Sequence, residues 1–298
     1  MKNNHGWRTC CAFLLCMGFF CSTASARQAE KTLINVGYSG MGTEVDERDA
    51  CAALKVWARE IGEPLGFQVK TTLYESKDDL VRDFVAQKVD FATMVTSDYL
   101  RFAPVLKAKA EVARFRNKKI SVQYLLLVNA ENNIKELVDL KGKRLVYKKD
   151  NSLGMLFMDV LLMKAGLPAA DRFFTAVQEK TKENQLALAV FFNQADACLV
   201  SESGFATMVE LNPQMGKKLK VLATSPELVE VVGFFRKDYP PSDKQKAIEG
   251  IVKGAKASKR AKQIMLLFNT ESMELIEDHQ LDSVRGLVAE YNRLSGKK

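Results

Sequence analysis

Residues 137–168 read LVDLKGKRLVYKKDNSLGMLFMDVLLMKAGLP, and the fold prediction starts from this stretch. A short apolar run at 145–148 predicts a strand, and the apolar residues from 153 to 165 predict a helix. Gly166, Leu167 and Pro168 then end the helix, because glycine suits the turn after a helix and proline cannot continue it. The stretch therefore reads as strand, polar turn and helix, which is the repeating unit of an α/β fold.

The same alternation of strand and helix precedes this stretch. The hydrophobic period predicts strands at 32–39, 67–74 and 89–95 and helices at 46–61, 77–86 and 98–110. This βαβαβ order predicts a mostly parallel sheet with right-handed crossovers. A continuous apolar run at 122–129 then starts a second α/β unit and predicts a strand that is buried on both faces.

The second unit continues beyond residue 168. The patterns predict a helix at 184–192 and strands at 197–200, 220–224 and 231–236. They also predict a wholly helical C-terminus, whose segments begin near Ser242 (with a capping box at 242–245), Ser258, Ser272 and Asp282. No Pro-, Gly- or Ser-rich linker separates the two units. We therefore expect two lobes in contact, with a ligand cleft between them at the carboxyl ends of strands.

The first 26 residues have the parts of a secretory signal peptide. A basic start is followed by an apolar run at 10–21 and by small residues at 24–26. A membrane anchor is the alternative, but the run is shorter than the roughly 20 residues that a spanning helix needs. A lipoprotein signal is disfavoured because no small residue precedes Cys16 or Cys21. We expect a cleaved signal, a mature chain that begins at residue 27 and a periplasmic location.

Composition and charge exclude several classes of protein. The 298 residues are 47% hydrophobic and 27% charged, a balance that excludes collagen-like and disordered chains. The formal net charge is +8, and it falls to +6 when Lys2 and Arg8 leave with the signal. Export argues against a nucleic-acid partner, and the basic stretch RFRNKK at 114–119 lacks the aromatic spacing of a base-stacking surface. We interpret 114–119 as a solvated connection and the net charge as suited to a small anion.

Cysteine and histidine are too sparse for several kinds of site. Four of the six cysteines lie in the signal, and Cys51 and Cys198 stand in apolar settings typical of unpaired core thiols. Only His279 of the two histidines lies beyond the signal, in a charged stretch typical of a surface. A Ser-His-Asp triad would depend on that one imidazole, and a zinc site with several histidines cannot form. We expect no catalysis, no metal and no organic cofactor.

Several segments resemble the periplasmic phosphate-, phosphite- and phosphonate-type solute-binding proteins of ABC transporters. The matching pieces occur in order along nearly the whole mature chain: VDFA at 89–92, LVDLKGKRL at 137–145, DNSLG at 150–154, KAGLP at 164–168, NQADA at 193–197 and VLATSP at 221–226. The resemblance implies a bilobal type II periplasmic-binding-protein fold, with two α/β lobes joined by two hinge-crossing strands. It also implies that the lobes close on a ligand in the cleft, and that the partner is the membrane permease of an ABC transporter.

The resemblance also implies where the lobes begin and end. The chain is expected to cross near 121–124 and to return near 224–231. Lobe 1 then comprises 27–120 and 226–298, and lobe 2 comprises 121–225. Cys51 and Cys198 fall in different lobes, where a disulfide between them would obstruct closure.

Three junctions between a strand and a helix are candidates for holding an oxyanion. Helix N-terminal amides and hydroxyl groups donate hydrogen bonds, and the helix dipole favours negative charge. The candidate residues are Tyr38 and Ser39 in the first junction, Thr96, Ser97 and Tyr99 in the second, and Asn151, Ser152 and Gly154 in the third. In the last two junctions the alternative is that the polar residues only cap the helix that follows. The glycine-rich turn at 40–43 does not match a dinucleotide-binding loop in its spacing.

Two further features bear on the ligand. Asn151, Ser152 and Leu153 stand where relatives commonly carry Ser-Thr-Ser, so this loop has fewer hydroxyl donors than theirs. Glu202 follows the strand at 197–200, where its carboxylate would repel a simple anion but would pair with the amine of a zwitterion or accept a proton from a monoprotonated acid. The alternative for Glu202 is a solvated residue at a helix start. For Tyr124, near the first crossing, a core position is favoured over ligand contact.

The leading hypothesis is a monomeric, non-enzymatic receptor that captures a small oxyanion and delivers it to a permease. Two alternatives remain within the binding class, namely a sensory subunit for a membrane kinase and a receptor for a ligand without phosphorus. An exported hydrolase that uses Ser152 or Ser201 is disfavoured, because the sequence offers no nearby base.

Overall fold

The computed structural model describes residues 31–39 and 46–296. The expected signal peptide at 1–26 and the glycine-rich turn at 40–43 lie outside the described residues. Most of the described strands belong to two large sheets, which different parts of the chain build.

The first sheet combines strands from the beginning and the end of the chain. In spatial order its six strands are β13 (Ser272–Leu275), β4 (Ala110–Phe115), β12 (Val231–Phe235), β3 (Phe91–Val95), β1 (Thr32–Tyr38) and β2 (Phe67–Leu73). β1 pairs in parallel with β2 and β3, whereas β12 pairs antiparallel with β3 and β4. The prediction of a mostly parallel sheet is therefore right for 32–95 and wrong for the rest, because β12 returns from the distant part of the chain.

The second sheet is built from the middle of the chain. Its five strands, again in spatial order, are β10 (Leu219–Thr224), β6 (Tyr124–Asn129), β9 (Ala197–Ser201), β7 (Arg144–Lys148) and β8 (Ala176–Lys180). All six residues of β6 are buried, which confirms the strand predicted from the apolar run at 122–129, although it begins at Tyr124. The sequence analysis missed β8, an edge strand with the sequence AVQEK whose residues are half buried or exposed.

Two short strands lie where the chain passes between the sheets. β5 (Ser121–Val122) pairs antiparallel with β11 (Leu228–Val229). β5 precedes the first strand of the second sheet, and β11 follows the last strand of that sheet. They occupy the segments that the sequence analysis expects to cross between lobes.

The helices follow the strands in the expected alternation. They are α1 (Glu47–Gly62), α2 (Lys77–Val85), α3 (Thr96–Leu106), α4 (Ser152–Lys164), α5 (Ala170–Phe173), α6 (Glu183–Phe191), α7 (Glu202–Leu211), α8 (Pro213–Lys218), α9 (Pro241–Glu249), α10 (Ala255–Ala257), α11 (Lys259–Leu267) and α12 (Asp282–Ser295). Polar residues cap several of them, as when the Ser76 side chain accepts a hydrogen bond from the Asp79 amide at the start of α2. The C-terminal part is mainly helical, as expected.

Two aspartates, each just before a strand, hold neighbouring strands together, one in each sheet. Asp90, just before β3, accepts hydrogen bonds from the Asn35 amide (2.8 Å) and from Nε of Arg236 (2.9 Å). Asp196, just before β9, accepts hydrogen bonds from the Arg144 amide (2.8 Å) and from Nε of Arg144 (2.9 Å). These contacts give the aspartates of the VDFA and NQADA segments a structural role, because each carboxylate connects its strand to a neighbouring strand.

An apolar cluster joins the C-terminal helix to the second sheet. Val284 and Leu287 of α12 pack with Phe157 and Val160 of α4, and Val95 of the first sheet belongs to the same cluster. These five side chains are less than a tenth exposed. The two sheets therefore share one patch of core, and α12, which the sequence analysis gives to lobe 1 alone, packs against both sides.

The structure corrects three local predictions. Arg114 and Phe115 belong to β4, so the stretch 114–119 is a strand end and a tight turn rather than a solvated connection. Ser272 begins β13 instead of a helix. The residue that precedes α9 is Pro240, whose side chain cannot accept a hydrogen bond, so the capping box at 242–245 is absent.

Candidate functional site

A polar cavity of about 220 Å³ lies between the two sheets. One side consists of the end of β4, the turn that follows and β5 (residues 114–123, without Phe115 and Lys118). The start of α7 at 201–203 forms the other side, together with Glu230. A smaller cavity of about 50 Å³ shares Arg114, Arg116, Ser201 and Glu230 with it and extends to Asn151 and its neighbours. The two cavities form one cleft whose walls come from both sheets.

A buried ion pair forms the floor of the cleft. Arg114 contacts the carboxylate of Glu230, and the Arg114 side chain is only 12% exposed. The Tyr124 hydroxyl donates a second hydrogen bond to this carboxylate (3.2 Å). Burial lowers the pKa of Arg114 to about 10, so the guanidinium stays charged at neutral pH. Tyr124 itself is 3% exposed, which supports its expected place in the core.

Arg116 is the second arginine of the cleft. It lies two residues after Arg114, and alternate residues of a strand face the same side, so both arginines reach the two cavities. Arg116 pairs with Lys119 across a tight turn in which Asn117 and Lys118 have φ values of 51° and 63°. The Lys119 ammonium contacts Glu227 at 2.7 Å. Within residues 31–39 and 46–296, Arg116 has no carboxylate partner.

The start of α7 forms the opposite wall. The Ser201 side chain caps the helix by accepting a hydrogen bond from the Gly204 amide (3.0 Å), and Glu183 accepts one from the Ser201 amide (2.6 Å). The Glu202 amide donates to the backbone oxygen of Gln123 (2.8 Å). Glu202 lines the larger cavity, so the structure brings this predicted site residue to the cleft.

One hydrogen bond crosses the cleft directly. Nδ2 of Asn117, in the turn after β4, donates to Oγ of Ser203 at the start of α7 (2.8 Å). The turn also bonds to its own side of the cleft, since the Asn117 amide donates to Glu271 (2.9 Å). The turn after β4 therefore touches both walls of the larger cavity.

Asn151 and Ser152 line the smaller cavity, as expected for site residues. The Asn151 side chain also caps α4 by accepting a hydrogen bond from the Gly154 amide (2.9 Å). A Cβ atom on Gly154 would come within 2.4 to 2.8 Å of the Asn151 amide group. The glycine is therefore needed for the cap, and this contact explains Gly154 without a ligand.

The candidate residues of the second junction lie in different places, one beside the cleft and one in the core. Thr96 is fully buried beside the cleft floor, where its amide donates to the Glu230 backbone oxygen (2.9 Å). Its hydroxyl has no hydrogen-bond partner in the part of the chain that the structure describes. Ser97 is half buried at the start of α3. The Tyr99 hydroxyl donates to the Ala108 oxygen (2.8 Å) and accepts from the Ala110 amide (3.0 Å), so Tyr99 has a structural role.

The first junction lies apart from both cleft cavities. Tyr38 is 2% exposed and packs in the core of the first sheet, where it lines a separate apolar cavity of about 40 Å³ together with Trp57. Burial raises the pKa of its phenol. Ser39 is also buried, and its amide donates to the Thr93 oxygen (3.1 Å). The strand-end position that suggested Tyr38 therefore places its ring inside the lobe.

Sequence reasoning missed eight charged residues that line the two cavities: Arg114, Arg116, Lys119, Lys148, Lys149, Asp150, Glu183 and Glu230. A signal existed for the arginines, because Arg114, Phe115 and Arg116 alternate as in a strand with one polar face. Glu230 lies between β11 and β12 and reaches the cleft only because β12 inserts between β3 and β4.

Other candidate chemistry lies outside the cleft. Cys51 and Cys198 are both free; Cys51 is half buried, and burial raises the pKa of the Cys198 thiol. Over the described range, the structure places no three His, Cys, Asp or Glu side chains together as metal ligands. None of the helices in that range has the length and apolar character that a membrane-spanning helix requires.

Two α/β sheets, joined by a pair of short strands around a polar cleft, define a bilobal periplasmic-binding-protein fold of type II. The family described as "ABC transporter, phosphonate, periplasmic substrate-binding protein" matches residues 41–281, and the chain belongs to this family. The predicted fold class and family are thereby confirmed. No curated protein sequence matches the chain.

Several solved structures share the fold at low sequence identity. A binding protein component of an ABC phosphonate transporter from Pseudomonas aeruginosa has a TM-score of 0.62 at 17% identity, over 89% of this chain and 88% of that chain. PhnD1 from Prochlorococcus marinus, in complex with methylphosphonate, has a TM-score of 0.62 at 16% identity, over 90% and 99%. A Xanthomonas citri protein bound to ATP has a TM-score of 0.65 at 14% identity, over 90% and 99%.

Proposed function

We propose that this chain is exported by a cleaved signal peptide and captures a small phosphonate- or phosphate-like oxyanion in the cleft between the two sheets. It then delivers the ligand to the permease of an ABC transporter. The observation that carries the proposal is the polar cavity of about 220 Å³, whose walls come from both sheets. Family membership supports the transport role over a sensory one.

The charges of the cleft suit a small anion. Among the described residues that line the two cavities, five are basic and four are carboxylates. A cleft with low-dielectric walls concentrates the field of an excess positive charge and so raises the local concentration of anions. The complex of PhnD1 with methylphosphonate supports the choice of ligand class.

Binding would close the cleft about β5 and β11. A ligand that contacts both walls binds the closed form better than the open form and shifts the population toward it. The proposed lobes are 27–120 with 226–298, and 121–225. The mature chain is proposed to act as a monomer without turnover. The absence of turnover is supported by His279, which is 70% exposed and whose imidazole lies against Glu277.

The test is a thermal-shift screen of the mature chain against phosphate, phosphite, alkyl- and aminoalkylphosphonates, sulfonates and amino acids. A ligand that binds only the folded state stabilises it by about 2.7 kcal/mol at a hundredfold excess over Kd. A shift with a phosphorus oxyanion is the expected result. A shift with none of them would overturn the proposal, and recovery of the ligand with altered mass would overturn the absence of turnover. A stable dimer in size-exclusion chromatography with light scattering would overturn the monomer.

A further inference from the structure

We propose that Arg116 supplies the positive charge that binds the anionic group of the ligand. This inference rests on the proposed function and deepens it. The ligand class is then set by a guanidinium group: a small molecule that carries one oxyanion with two unprotonated oxygens, as in a phosphonate, a sulfonate or a carboxylate.

Arg116 stands where both parts of the cleft meet. It lines the larger and the smaller cavity, and it is half buried. Arg114, two residues before it, also lines both cavities, and its side chain is 12% exposed. An anion in either cavity would therefore lie within reach of the Arg116 guanidinium.

Among the three described cations that line the larger cavity, Arg116 is the one without a carboxylate partner. Arg114 contacts Glu230, and Lys119 contacts Glu227. Across residues 31–39 and 46–296, no carboxylate lies within ion-pair distance of Arg116. A cation that is partly removed from water loses hydration, and an anion that enters the cleft restores the lost interaction. The turn after β4 thus presents one uncompensated charge to the cavity.

Several amide groups at the helix starts beside the cleft already donate to groups of the protein. The Gly154 amide donates to Asn151, and the Gly204 amide donates to Ser201. The Ser201 amide donates to Glu183, so a carboxylate of the chain itself occupies the start of α7. A guanidinium offers five N–H donors in a planar fork that fits two oxygens of one oxyanion. Arg116 therefore adds a set of donors to the cleft in which these three amides are already occupied.

The opposite wall limits what the rest of the ligand can carry. Glu202 lines the larger cavity and has no ion-pair partner among the residues that the structure describes. A second anionic group on the ligand would approach this carboxylate and be repelled. The ligand is thus expected to carry its negative charge at one end only.

The experiment compares the mature wild-type chain with Arg116→Gln, Arg116→Lys and the control Lys118→Gln. Lys118 belongs to the same turn but lines neither cleft cavity, so its substitution removes the same charge without touching the site. Titration calorimetry uses methylphosphonate, inorganic phosphate, methanesulfonate and acetate, each at low and high NaCl. Thermal unfolding of each variant shows whether it is folded.

With the best of these anions, Arg116→Gln is expected to weaken binding by roughly 10- to 100-fold, because hydrogen bonds to charged groups are among the strongest in proteins. Arg116→Lys keeps the charge but not the fork, so its affinity is expected to lie between those of Arg116→Gln and the wild type. Lys118→Gln is expected to bind as the wild type does. Salt is expected to weaken wild-type binding more than binding by Arg116→Gln.

The other outcomes show which proposal is wrong, the role of Arg116, the proposed function or both. Phosphonate binding that survives in Arg116→Gln overturns the role of Arg116 and leaves the proposed function standing. Binding of acetate or methanesulfonate alone, if it depends on Arg116, supports the role of Arg116 and overturns the phosphonate ligand. Binding of none of the four anions by the folded wild type overturns both.

Discussion

At the scale of single residues, this protein keeps several charges away from bulk water by giving each a defined partner. Asp90, Asp196 and Glu230 all accept hydrogen bonds from arginine or backbone groups. Breaking such a pair leaves a partly buried charge without compensation, which costs more than the pair itself contributes. Among the described residues, Arg116 lines both cavities of the cleft without a carboxylate partner, and that is why it is the proposed ligand contact.

Asp196 gives a prediction about pH. Hydrogen bonds from Arg144 hold the pKa of Asp196 below its ordinary value of 3.8. The contribution of this carboxylate to stability is therefore complete above that value and is lost as pH falls through the lower pKa of the folded state. Asp196→Asn is expected to lower the free energy of unfolding by about 1–2 kcal/mol at pH 6. Urea unfolding at pH 6 and near pH 3 measures the difference.

The difference between wild type and Asp196→Asn should shrink at the lower pH. Arg82→Gln serves as the control, because Arg82 belongs to an exposed pair with Asp79 that is expected to contribute less than about 1 kcal/mol. A difference for Asp196→Asn that is the same at both pH values would contradict the role of its ionisation.

At the scale of elements, the turn after β4 connects the two walls of the cleft. Its Asn117 side chain reaches Ser203 at the start of α7, whereas its backbone bonds to Glu271. The contact spans the opening, so it stabilises the closed form. It favours the closed form in the absence of a ligand, so less of the binding free energy of a ligand is needed for closure.

A double-mutant cycle tests this contact. Asn117→Gly suits the left-handed backbone at this position (φ of 51°) and removes the donor, while Ser203→Ala removes the acceptor. Each single change is expected to weaken ligand binding roughly two- to tenfold, and the double variant little more than either one. Calorimetry measures the affinities, and small-angle scattering should show a larger radius of gyration for each variant without ligand. Additive losses would mean that the two residues act separately.

At the scale of the whole molecule, α12 couples the two sheets through a common apolar cluster. Leu287, which is 7% exposed, packs with side chains of α4 in this cluster. Such a shared core ties the stability of one lobe to that of the other, even though a cleft lies between them. Hinge motion must therefore preserve this packing or slide along it.

Leu287→Ala is expected to lower the free energy of unfolding by about 2–5 kcal/mol. Leu211→Ala is the matched control, since Leu211 is 81% exposed and its truncation should change stability by less than about 0.5 kcal/mol. Trp57, the one tryptophan beyond the expected signal, reports on the first sheet by fluorescence, while circular dichroism reports on all helices. The two urea transitions of the wild type should coincide, and separate transitions would show that the lobes unfold independently.

Much of the fold follows from the sequence itself. The apolar run that became β6 and the strand and helix at 144–164 depend on hydrophobic period and turn residues, which are local properties. The same reasoning reached Asn151, Ser152 and Glu202, because polar residues at strand ends meet at one edge of a sheet. It also named Tyr38, whose ring the structure places in the core of the first sheet, since a strand-end position does not fix which way a ring points.

Only the tertiary structure decided what the basic stretch at 114–119 does. From the sequence alone, the neighbours of this stretch in space are unknown, and its charges then predict a solvated segment. Strand β12 returns from more than a hundred residues away, pairs with β4 and brings Glu230 to Arg114. Arg114 is then compensated and Arg116 is left facing the cavity. The sequence determined the elements because their patterns are local, whereas the charge that faces the ligand depends on pairings between distant residues.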